Sequence, residues 1–185
     1  QRLHQICKKA EESQTPVLID AEESWIQDVI DELVEEMMSV YNRKTVIVYN
    51  TIQLYRWDKL KHIKHIHKIA QRKNYKLGLK LVRGAYMEKE RLRAKRKTYK
   101  SPIHIHKQQC DYDYNEASKY CLNQLNDMAI CFGTHNEEST KIVIDLMKNK
   151  NIHNNDTRIY FSQLLGMSDN ISFYLSHFKY NIAKY

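Results

Sequence analysis

Residues 76–86 have the sequence KLGLKLVRGAY, a short apolar run bounded by lysine on one side and by Arg83 and Gly84 on the other. A run of this length predicts a buried parallel strand, because both faces of such a strand are covered. Lys80 lies within the run, and Gly84 lets the backbone turn or approach a bound group. With Tyr86 following, this strand end suits the wall of a site for a flat anionic cofactor. The alternative is a lysine that protects an edge strand and an ordinary turn glycine.

The composition is that of one compact domain. The chain has 185 residues, of which 42% are hydrophobic, enough for a core. Its four cysteines show no paired C-x-x-C spacing, which argues against a disulfide framework or a zinc site. No apolar run approaches the roughly 18 residues that span a bilayer. The sequence does not begin with methionine, so we expect a piece of a longer protein, with any targeting segment outside it.

The net charge is strongly positive, at +8. Such a charge fits nucleic acid or an anionic membrane surface. The lysines are spread along helix-like segments among acidic residues, and no nucleic-acid motif is present, so we predict no nucleic-acid partner. The basic surface still fits peripheral association with an anionic membrane.

Strand-like and helix-like segments alternate along the chain. Besides residues 77–82, the predicted strands are 17–19, 46–49, 128–132, 158–161 and 181–185. The predicted helices are 1–14, 24–41, 54–74, 88–100, 112–125, 137–148 and a last one that begins at Ser168 or Asp169. Alternation without a strong hairpin signal predicts parallel βαβ units, either doubly wound or closed as a barrel.

Polar side chains at the strand ends favour the barrel. No G-x-G-x-x-G follows the first strand, which removes the main support for a dinucleotide-binding Rossmann fold. The strand-end residues are Asp20, Gln53, Lys80 with Arg83, residues 134–136, Gln163 and Tyr185. Sites built from many strand ends at one face are typical of the (β/α)8 barrel. We therefore predict an α/β fold of the (β/α)8 TIM-barrel type, incomplete at about six strands, with residues 1–185 forming one partial barrel domain.

Helical spacing also predicts which side chains are buried. The second helix is expected to begin with Ser24 as its cap and to bury one stripe: Trp25, Val29, Ile30, Leu33, Val34, Met37 and Tyr41. The last helix is expected to pack Ile171, Phe173, Leu175 and Phe178.

Histidines cluster on the third helix, at His62, His65 and His67. No carboxylate or thiol partner is evident in the sequence, and the interspersed lysines would repel a cation. We therefore predict a solvated helix face and no metal site. His104 and His106, which lie in a polar segment, are interpreted in the same way.

The strand-end residues are an unusual set for hydrolysis. The chain has no nucleophile elbow, no H-E-x-x-H and no facing pair of carboxylates. Donors and cations outnumber acids, which suits a phosphate-bearing or electron-accepting cofactor whose negative charge they stabilise. Asp20 is the one acid at a strand end in an apolar setting, where it would orient a cationic substrate amine or pair with an arginine.

Six blocks of the sequence resemble the proline dehydrogenase family, in the family's order and spacing and over nearly the whole chain. They are LIDAE at 18–22, NTIQ at 50–53, KLVRGAYMEKER at 80–91, THNE at 134–137, FSQLLGMSD at 161–169 and AKY at 183–185. The forms VRGAY and QLLGM are similar to the eukaryotic mitochondrial branch.

This resemblance implies FAD-dependent oxidation of L-proline to Δ1-pyrroline-5-carboxylate, the first step of proline catabolism. Electrons would pass to a membrane quinone on the matrix side of the mitochondrial inner membrane. Asp20 and Lys80 would be the catalytic residues. Lys80 occupies the position where bacterial members carry an arginine near the flavin N5, and a cation there favours the anionic reduced ring.

The resemblance also implies roles for the remaining strand-end residues. The cofactor would contact Gln53, Lys80, Arg83, Gly84, Ala85, Tyr86, Thr134, His135, Asn136, Gln163 and Leu164, with Gln53 bonded to the flavin ring. The proline pocket would be shaped by Asp20, Tyr86, Leu164 and Tyr185. The protein would mainly position the substrate C5 against N5 and exclude water.

Two family elements have no counterpart in the chain. They are a strand bearing a lysine before residue 1 and a helix after Tyr185 that carries two adjacent arginines and a glutamate. In the family, those arginines hold the substrate carboxylate. We therefore expect residues 1–185 alone to bind proline poorly and to turn it over little or not at all.

Three alternatives stay open at this point. The sister family, which oxidises hydroxyproline, shares the six blocks. An inactive barrel fragment would act as an interaction module and would bind no flavin. A basic nucleic-acid-binding surface would retard RNA or DNA in a strongly salt-dependent way.

Overall fold

The computed structural model describes residues 1–185 and has one sheet of six parallel strands, paired in chain order. The strands are β1 (Val17–Ile19), β2 (Val48–Gln53), β3 (Leu77–Val82), β4 (Met128–Gly133), β5 (Ile159–Gln163) and β6 (Ile182–Lys184). The helices are α1 (Arg2–Glu12), α2 (Ser24–Tyr41), α3 (Lys59–Lys73), α4 (Met87–Lys97), α5 (Lys107–Asn123), α6 (Glu137–Asn149) and α7 (Asp169–His177). The predicted incomplete parallel barrel is confirmed. β1 and β6 are its two unpaired edges.

β3 is a central strand, bonded to β2 on one side and to β4 on the other. Its side chains alternate between the two faces of the sheet. Leu79 and Leu81 are fully buried in the main core between sheet and helices. Lys80 points to the inner side of the curled sheet, in register with Thr51 and Cys131. The edge-strand interpretation of Lys80 is therefore wrong.

The amino ends of β2 and β3 are joined by one buried side chain, Asn42. Its Oδ1 accepts from the backbone N–H groups of Ile47 and Val48 at 2.9 and 2.8 Å. Its Nδ2 donates to the carbonyl oxygens of Val48 and Lys76 at 2.8 and 3.1 Å. These four bonds fix the end of the sheet that lies opposite the strand-end polar residues.

An extra helix separates β3 from the helix that covers it. α5 packs against β3 and β4, whereas α4 and residues 98–106 fold back over the segment that follows β2. The backbone N–H of His104 donates to Tyr55 O at 2.8 Å, and that of Trp57 donates to Pro102 O at 3.1 Å. α4 then contacts the start of α2 through the side chain of Glu90.

The predicted inner face of α2 is partly wrong. Trp25, Val29 and Leu33 are exposed, and the buried positions include two polar residues, Gln27 and Asp31. The cause is a buried polar network between α2, β2 and α3. Because that network needs the inward positions, part of the apolar stripe faces outward.

The cap predicted for α2 is also wrong. The Ser24 hydroxyl donates at 2.7 Å to the carboxylate of Glu90, which also accepts the Ser24 backbone N–H at 2.5 Å. Glu90 is fully buried on α4. A carboxylate from another helix therefore stabilises the positive end of α2.

Three element boundaries move by several residues. β2 continues to Gln53 instead of ending near Asn50, α3 begins at Lys59 instead of residue 54, and α5 begins at Lys107 instead of residue 112. In α7, Ile171 and Leu175 are buried as predicted, whereas Phe173 is 73% exposed and Phe178 is 46% exposed. The nine residues of α7 have room for only a narrow inward stripe.

The prediction of a solvated histidine face is wrong for two of its three members. His67 is buried, and its ring nitrogens lie 2.7 Å from Tyr120 Oη and 2.9 Å from Asp127 Oδ2. His62 is half-buried, with Nε2 3.7 Å from Asp31. Carboxylate partners therefore exist, but they come from segments far away in sequence, which spacing alone does not reveal.

In the second histidine pair, the prediction of a solvated side chain is wrong for His104 and right for His106. His104 Nε2 lies 2.8 Å from Asp113 Oδ2, and both side chains are only 13% exposed. His106 is exposed and immediately precedes α5, where its backbone N–H donates to the Gln109 side chain at 3.4 Å.

None of the helices is both long and apolar enough to cross a membrane. All four cysteines are buried free thiols.

Candidate active site

The carboxyl ends of β1–β6 surround a cavity of about 590 Å³, here called the inner cavity. It is lined by the following predicted site residues: Asp20, Gln53, Lys80, Arg83, Gly84, Ala85, Tyr86, Thr134, His135, Asn136, Leu164 and Tyr185. Gln163 alone among the predicted set does not line it. Since parallel strands deliver their last side chains to one edge, residues far apart in sequence meet here.

Lys80 lies at the floor of the inner cavity and is 4% exposed. Its Nζ donates to Asp20 Oδ1 at 2.7 Å and lies 3.8 Å from the centre of the Tyr185 ring. The same Asp20 oxygen accepts from the Thr51 hydroxyl at 3.2 Å. Because an ammonium group carries three donors, Lys80 keeps donors for a further anionic partner.

The expected apolar setting of Asp20 is wrong. Its side chain is 66% exposed, although it forms an ion pair with a buried lysine. Strand β1 is short and lies at the edge of the sheet, so its last side chain stays in contact with solvent. Asp20 Oδ2 makes no hydrogen bond within the chain, which leaves it available to a cationic ligand.

Gln53 and Tyr86 both bond to Glu22, a residue for which the sequence predicts no role. Gln53 Nε2 donates to Glu22 O at 2.8 Å, and Gln53 Oε1 accepts from Ala85 N at 3.3 Å. The Tyr86 hydroxyl donates to Glu22 Oε2 at 2.9 Å. This hydrogen bond, assisted by burial and by the negative charges of Glu22, Glu23 and Asp20, raises the pKa of Tyr86 above its ordinary value.

Arg83 is held by the protein itself. Its guanidinium donates to Asp111 at 2.7 Å, to Thr134 Oγ1 at 2.8 Å and to Ser139 Oγ at 2.9 Å. It also stacks over the Tyr114 ring at 4.5 Å. Arg83 therefore clamps β3 to α5 and α6 at the cavity wall.

The neighbouring Asp111 also bonds to Lys107, which lines the cavity. Burial alone would raise the pKa of Asp111, but the hydrogen bonds from Lys107 and Arg83 outweigh burial and lower it. The carboxylate therefore stays ionised and holds both cations at the wall.

The segment after β4 is partly structural. Asn136 caps α6 by accepting from Ser139 N at 2.8 Å. His135 Nδ1 lies 3.0 Å from Ser168 Oγ, and burial together with the nearby charge of Lys184 lowers the pKa of His135. His135 is therefore a neutral imidazole at pH 7, able to donate or accept one hydrogen bond at the cavity wall.

Gln163 lies on the helix-facing side of β5, together with Ile159 and Phe161, because strand side chains alternate. Its Oε1 accepts from Ser172 Oγ of α7 at 2.8 Å, and its Nε2 lies 3.4 Å from Thr134 O. Gln163 is fully buried, so it supports the backbone beneath the cavity.

A second space of about 760 Å³, the outer cavity, continues past Gly84 toward α4 and the start of α5. The two cavities share Arg83, Gly84, Ala85, Tyr86 and Lys107. The outer cavity adds basic and imidazole side chains: Lys89, Arg91, His104 and His106. Together the two cavities form one groove with a cation at its floor and further cations along it, which suits an elongated anionic ligand.

Gly84 lies at the junction of the two cavities. Its φ of +133° is a conformation that side chains rarely adopt, and an added Cβ would lie 2.6 Å from the Tyr55 ring. The predicted turn after β3 therefore needs glycine.

Fold and site together define a (β/α)-barrel protein with a lysine-centred site at the carboxyl ends of its strands, the arrangement of a barrel enzyme. Within that class, the chain belongs to the proline dehydrogenase family, since the sequence model of that family, described as "Proline dehydrogenase", matches residues 2–185. The predicted family is confirmed.

Among its relatives, mitochondrial proline dehydrogenase 1 of Homo sapiens is 34% identical over 188 residues, which cover 100% of this chain and 31% of the human protein. Mitochondrial proline dehydrogenase 2 of Arabidopsis thaliana is also 34% identical, over 190 residues that cover 100% of this chain and 40% of the plant protein. The chain therefore spans less than half the length of these relatives.

Solved structures share the fold of this chain. The crystal structure of proline utilization A from Bdellovibrio bacteriovorus, inactivated by N-propargylglycine, matches with a TM-score of 0.92 at 22% identity. The match covers 100% of this chain and 19% of the bacterial protein. At this identity, the likeness establishes the barrel fold.

Proposed function

We propose that this chain forms the flavin site of a proline dehydrogenase, which binds FAD and oxidises L-proline to Δ1-pyrroline-5-carboxylate. The observation that carries the proposal is Lys80, a buried ammonium at the cavity floor with a single hydrogen bond. A buried cation with unused donors favours an anionic partner. In this family of flavoproteins, the reduced flavin ring is such a partner.

The donor set of the groove fits FAD. Lys80 and the second hydrogen of the Gln53 amide would face the ring system, since only one amide hydrogen is used by Glu22. Arg91, His106 and Lys107 would hold the diphosphate. The segment from Gly84 to Tyr86, Thr134 to Asn136 and Leu164 would line the cofactor, with Gln163 and Arg83 holding that lining in place.

The residues of the chain would then position the substrate against the cofactor and stabilise the charge that develops during the reaction. FAD, when bound, supplies the hydride acceptor for carbon 5 of proline. Lys80 would stabilise the negative charge of the reduced flavin ring. Asp20 Oδ2, which is free of protein partners, accepts a hydrogen bond from the substrate amine, while Oδ1 stays with Lys80. Leu164, Tyr86 and Tyr185 exclude water from the ring of the substrate.

Binding of the substrate carboxylate is the weak point of the 185-residue chain. Arg83 is the arginine at the inner cavity, and its donors are already shared among Asp111, Thr134 and Ser139. A bidentate guanidinium is the natural partner for a carboxylate. We therefore propose that the chain alone reacts with proline slowly.

We further propose a membrane quinone as the electron acceptor and the matrix side of the mitochondrial inner membrane as the location. The support is that the human and plant relatives are named mitochondrial. The net charge of +8 favours peripheral contact with anionic lipid.

The test is to purify the chain with FAD and to follow the visible absorption of retained flavin. We expect flavin to be retained and to bleach slowly when proline is added without oxygen. Protein that retains no flavin would favour an interaction module. Bleaching that is as fast or faster with trans-4-hydroxyproline would favour the sister family.

A further inference from the structure

A line of buried hydrogen bonds connects the helix layer with the inner cavity. It begins at Asp31, which is 4% exposed and accepts from Lys59 Nζ at 2.6 Å. The other carboxylate oxygen of Asp31 accepts from Gln27 Nε2 at 2.8 Å. Gln27 is 1% exposed and lies outside the cavity. Its amide is therefore anchored at one end by a buried, ion-paired carboxylate.

The other end of Gln27 reaches the loop between β1 and α2. Gln27 Oε1 accepts from Glu22 N at 2.7 Å, and Gln53 Nε2 donates to Glu22 O at 2.8 Å. Neither backbone group of Glu22 forms a backbone–backbone hydrogen bond. Two buried glutamines thus supply the hydrogen bonds of this residue, one to its N–H and one to its carbonyl.

We propose that Gln27 is a positioning residue of the site. Together with Gln53, it fixes the backbone of Glu22 and so places the carboxylate that holds the Tyr86 hydroxyl at the cavity wall. The link spans three elements: α2 through Gln27, β2 through Gln53, and the start of α4 through Tyr86. Its effect on the cofactor rests on the proposed flavin site, whereas the link itself can be measured without flavin.

The phenol of Tyr86 reports the link directly. The charged groups that face it are Glu22, Glu23 and Asp20, with Lys89 Nζ 5.7 Å from the centre of its ring. The hydrogen bond to Glu22 is the largest cause of its raised pKa. When Glu22 is released, the phenol ionises more readily and its pKa falls toward the ordinary value. A change in general stability would not move it in this way.

The experiment uses the full chain labelled with 3-fluorotyrosine, whose phenol ionises at lower pH than that of tyrosine. The chain has 13 tyrosines, so Y86F is needed to assign the Tyr86 fluorine resonance. The titration is compared in wild type, Q27M and E22Q. N42A is the matched control, because Asn42 is an equally buried amide with four hydrogen bonds at the opposite end of the sheet.

We expect the Tyr86 titration to move to lower pH in both Q27M and E22Q and to stay unchanged in N42A. A folded Q27M with the wild-type titration would overturn the proposal. Where Q27M fails to fold, amide hydrogen exchange of Glu22 in the wild-type chain decides. Protection supports the bond to Gln27, and exchange at the rate of a free peptide overturns it.

Flavin affinity gives the functional readout. We expect Q27M to weaken FAD binding about tenfold, which corresponds to the loss of one buried hydrogen bond, and N42A to leave it unchanged. If the wild-type chain binds no FAD, the proposed function fails, and the Tyr86 titration still decides the role of Gln27.

Discussion

The chain buries two lysines against aspartates, and the two pairs differ in what surrounds the carboxylate. Lys59 and Lys80 are 3% and 4% exposed. Their Nζ atoms lie 2.6 and 2.7 Å from the aspartate oxygens. The side chain of Asp31, the partner of Lys59, is 6% exposed and has two further amide donors, whereas that of Asp20, the partner of Lys80, is 66% exposed.

We interpret the Lys59–Asp31 pair as structural and propose that the Lys80–Asp20 pair belongs to the functional site. A buried charge is tolerated when its partners satisfy it, and the closed network around Asp31 does so. Lys80 instead shares its carboxylate with solvent and faces an open cavity. The free hydrogen-bond donors of Lys80 therefore lie at the inner cavity. The Lys59–Asp31 pair, whose carboxylate is fully hydrogen-bonded, lies in the helix layer.

The largest effect is expected when the Lys59–Asp31 ion pair, here called the closed pair, is broken. K59M leaves the Asp31 carboxylate buried without its cation, which should cost about 3–5 kcal/mol in the free energy of unfolding. Urea denaturation measures it. K61M, at an exposed position two residues away, is the control and should change stability by less than about 0.5 kcal/mol. Equal effects of the two substitutions would contradict the role of the closed pair.

The pH dependence of stability sharpens the same point. Burial alone would raise the pKa of Asp31, but the charge of Lys59 and the hydrogen bonds from Lys59, Asn50 and Gln27 lower it. A lowered pKa contributes stability above the unfolded value of about 3.9, and that stability is lost as pH falls through the folded value. In K59M, burial dominates, so the contribution of Asp31 should change sign. Urea midpoints between pH 3 and 7 test this.

The Lys80–Asp20 pair should contribute less to the free energy of unfolding than the Lys59–Asp31 pair does. K80M removes a buried cation, and its partner Asp20 stays solvated, so the free energy of unfolding should change by about 1 kcal/mol or less. Urea denaturation beside K59M gives the comparison. A loss as large as that of K59M would mean that both pairs are structural.

The smallest effect is expected at Glu35, which lies near the hydrogen-bonded Asp31. Burial and the nearby charge of Asp31 raise the pKa of Glu35. A carboxyl group whose folded pKa lies above the unfolded value destabilises the fold once it ionises, so E35Q should stabilise the chain at pH 7 by about 0.5 kcal/mol. The gain should vanish below about pH 4, near the unfolded pKa of glutamate. Thermal unfolding at both pH values measures it.

Much of the fold could be predicted because local and global signals agree. β3 has the predicted boundaries, since its apolar run is flanked by cations and glycine. Strand order follows from the alternation of elements. The strand-end residues meet at one cavity because parallel strands end on the same side, so Lys80, Gln53 and His135 could be grouped without a structure.

The rest depends on contacts between distant segments. The inward positions of α2 are polar because Asn50 and Lys59 meet Asp31 from other elements. Glu90 stabilises α2 from 66 residues away, and no local pattern announces such a partner. Gln163 shows the opposite error: its strand-end position was predicted, but the face of the strand on which it lies was not.

FAD titration of wild type and K80M, followed by quenching of flavin fluorescence, tests the central claim most directly. K141M serves as control, because Lys141 is an exposed lysine on α6. Wild type and K141M should bind FAD alike, and K80M should bind at least about tenfold more weakly, as expected for one lost charge-assisted hydrogen bond. Equal affinity of K80M and wild type, or no binding by either, would contradict a flavin site built around Lys80.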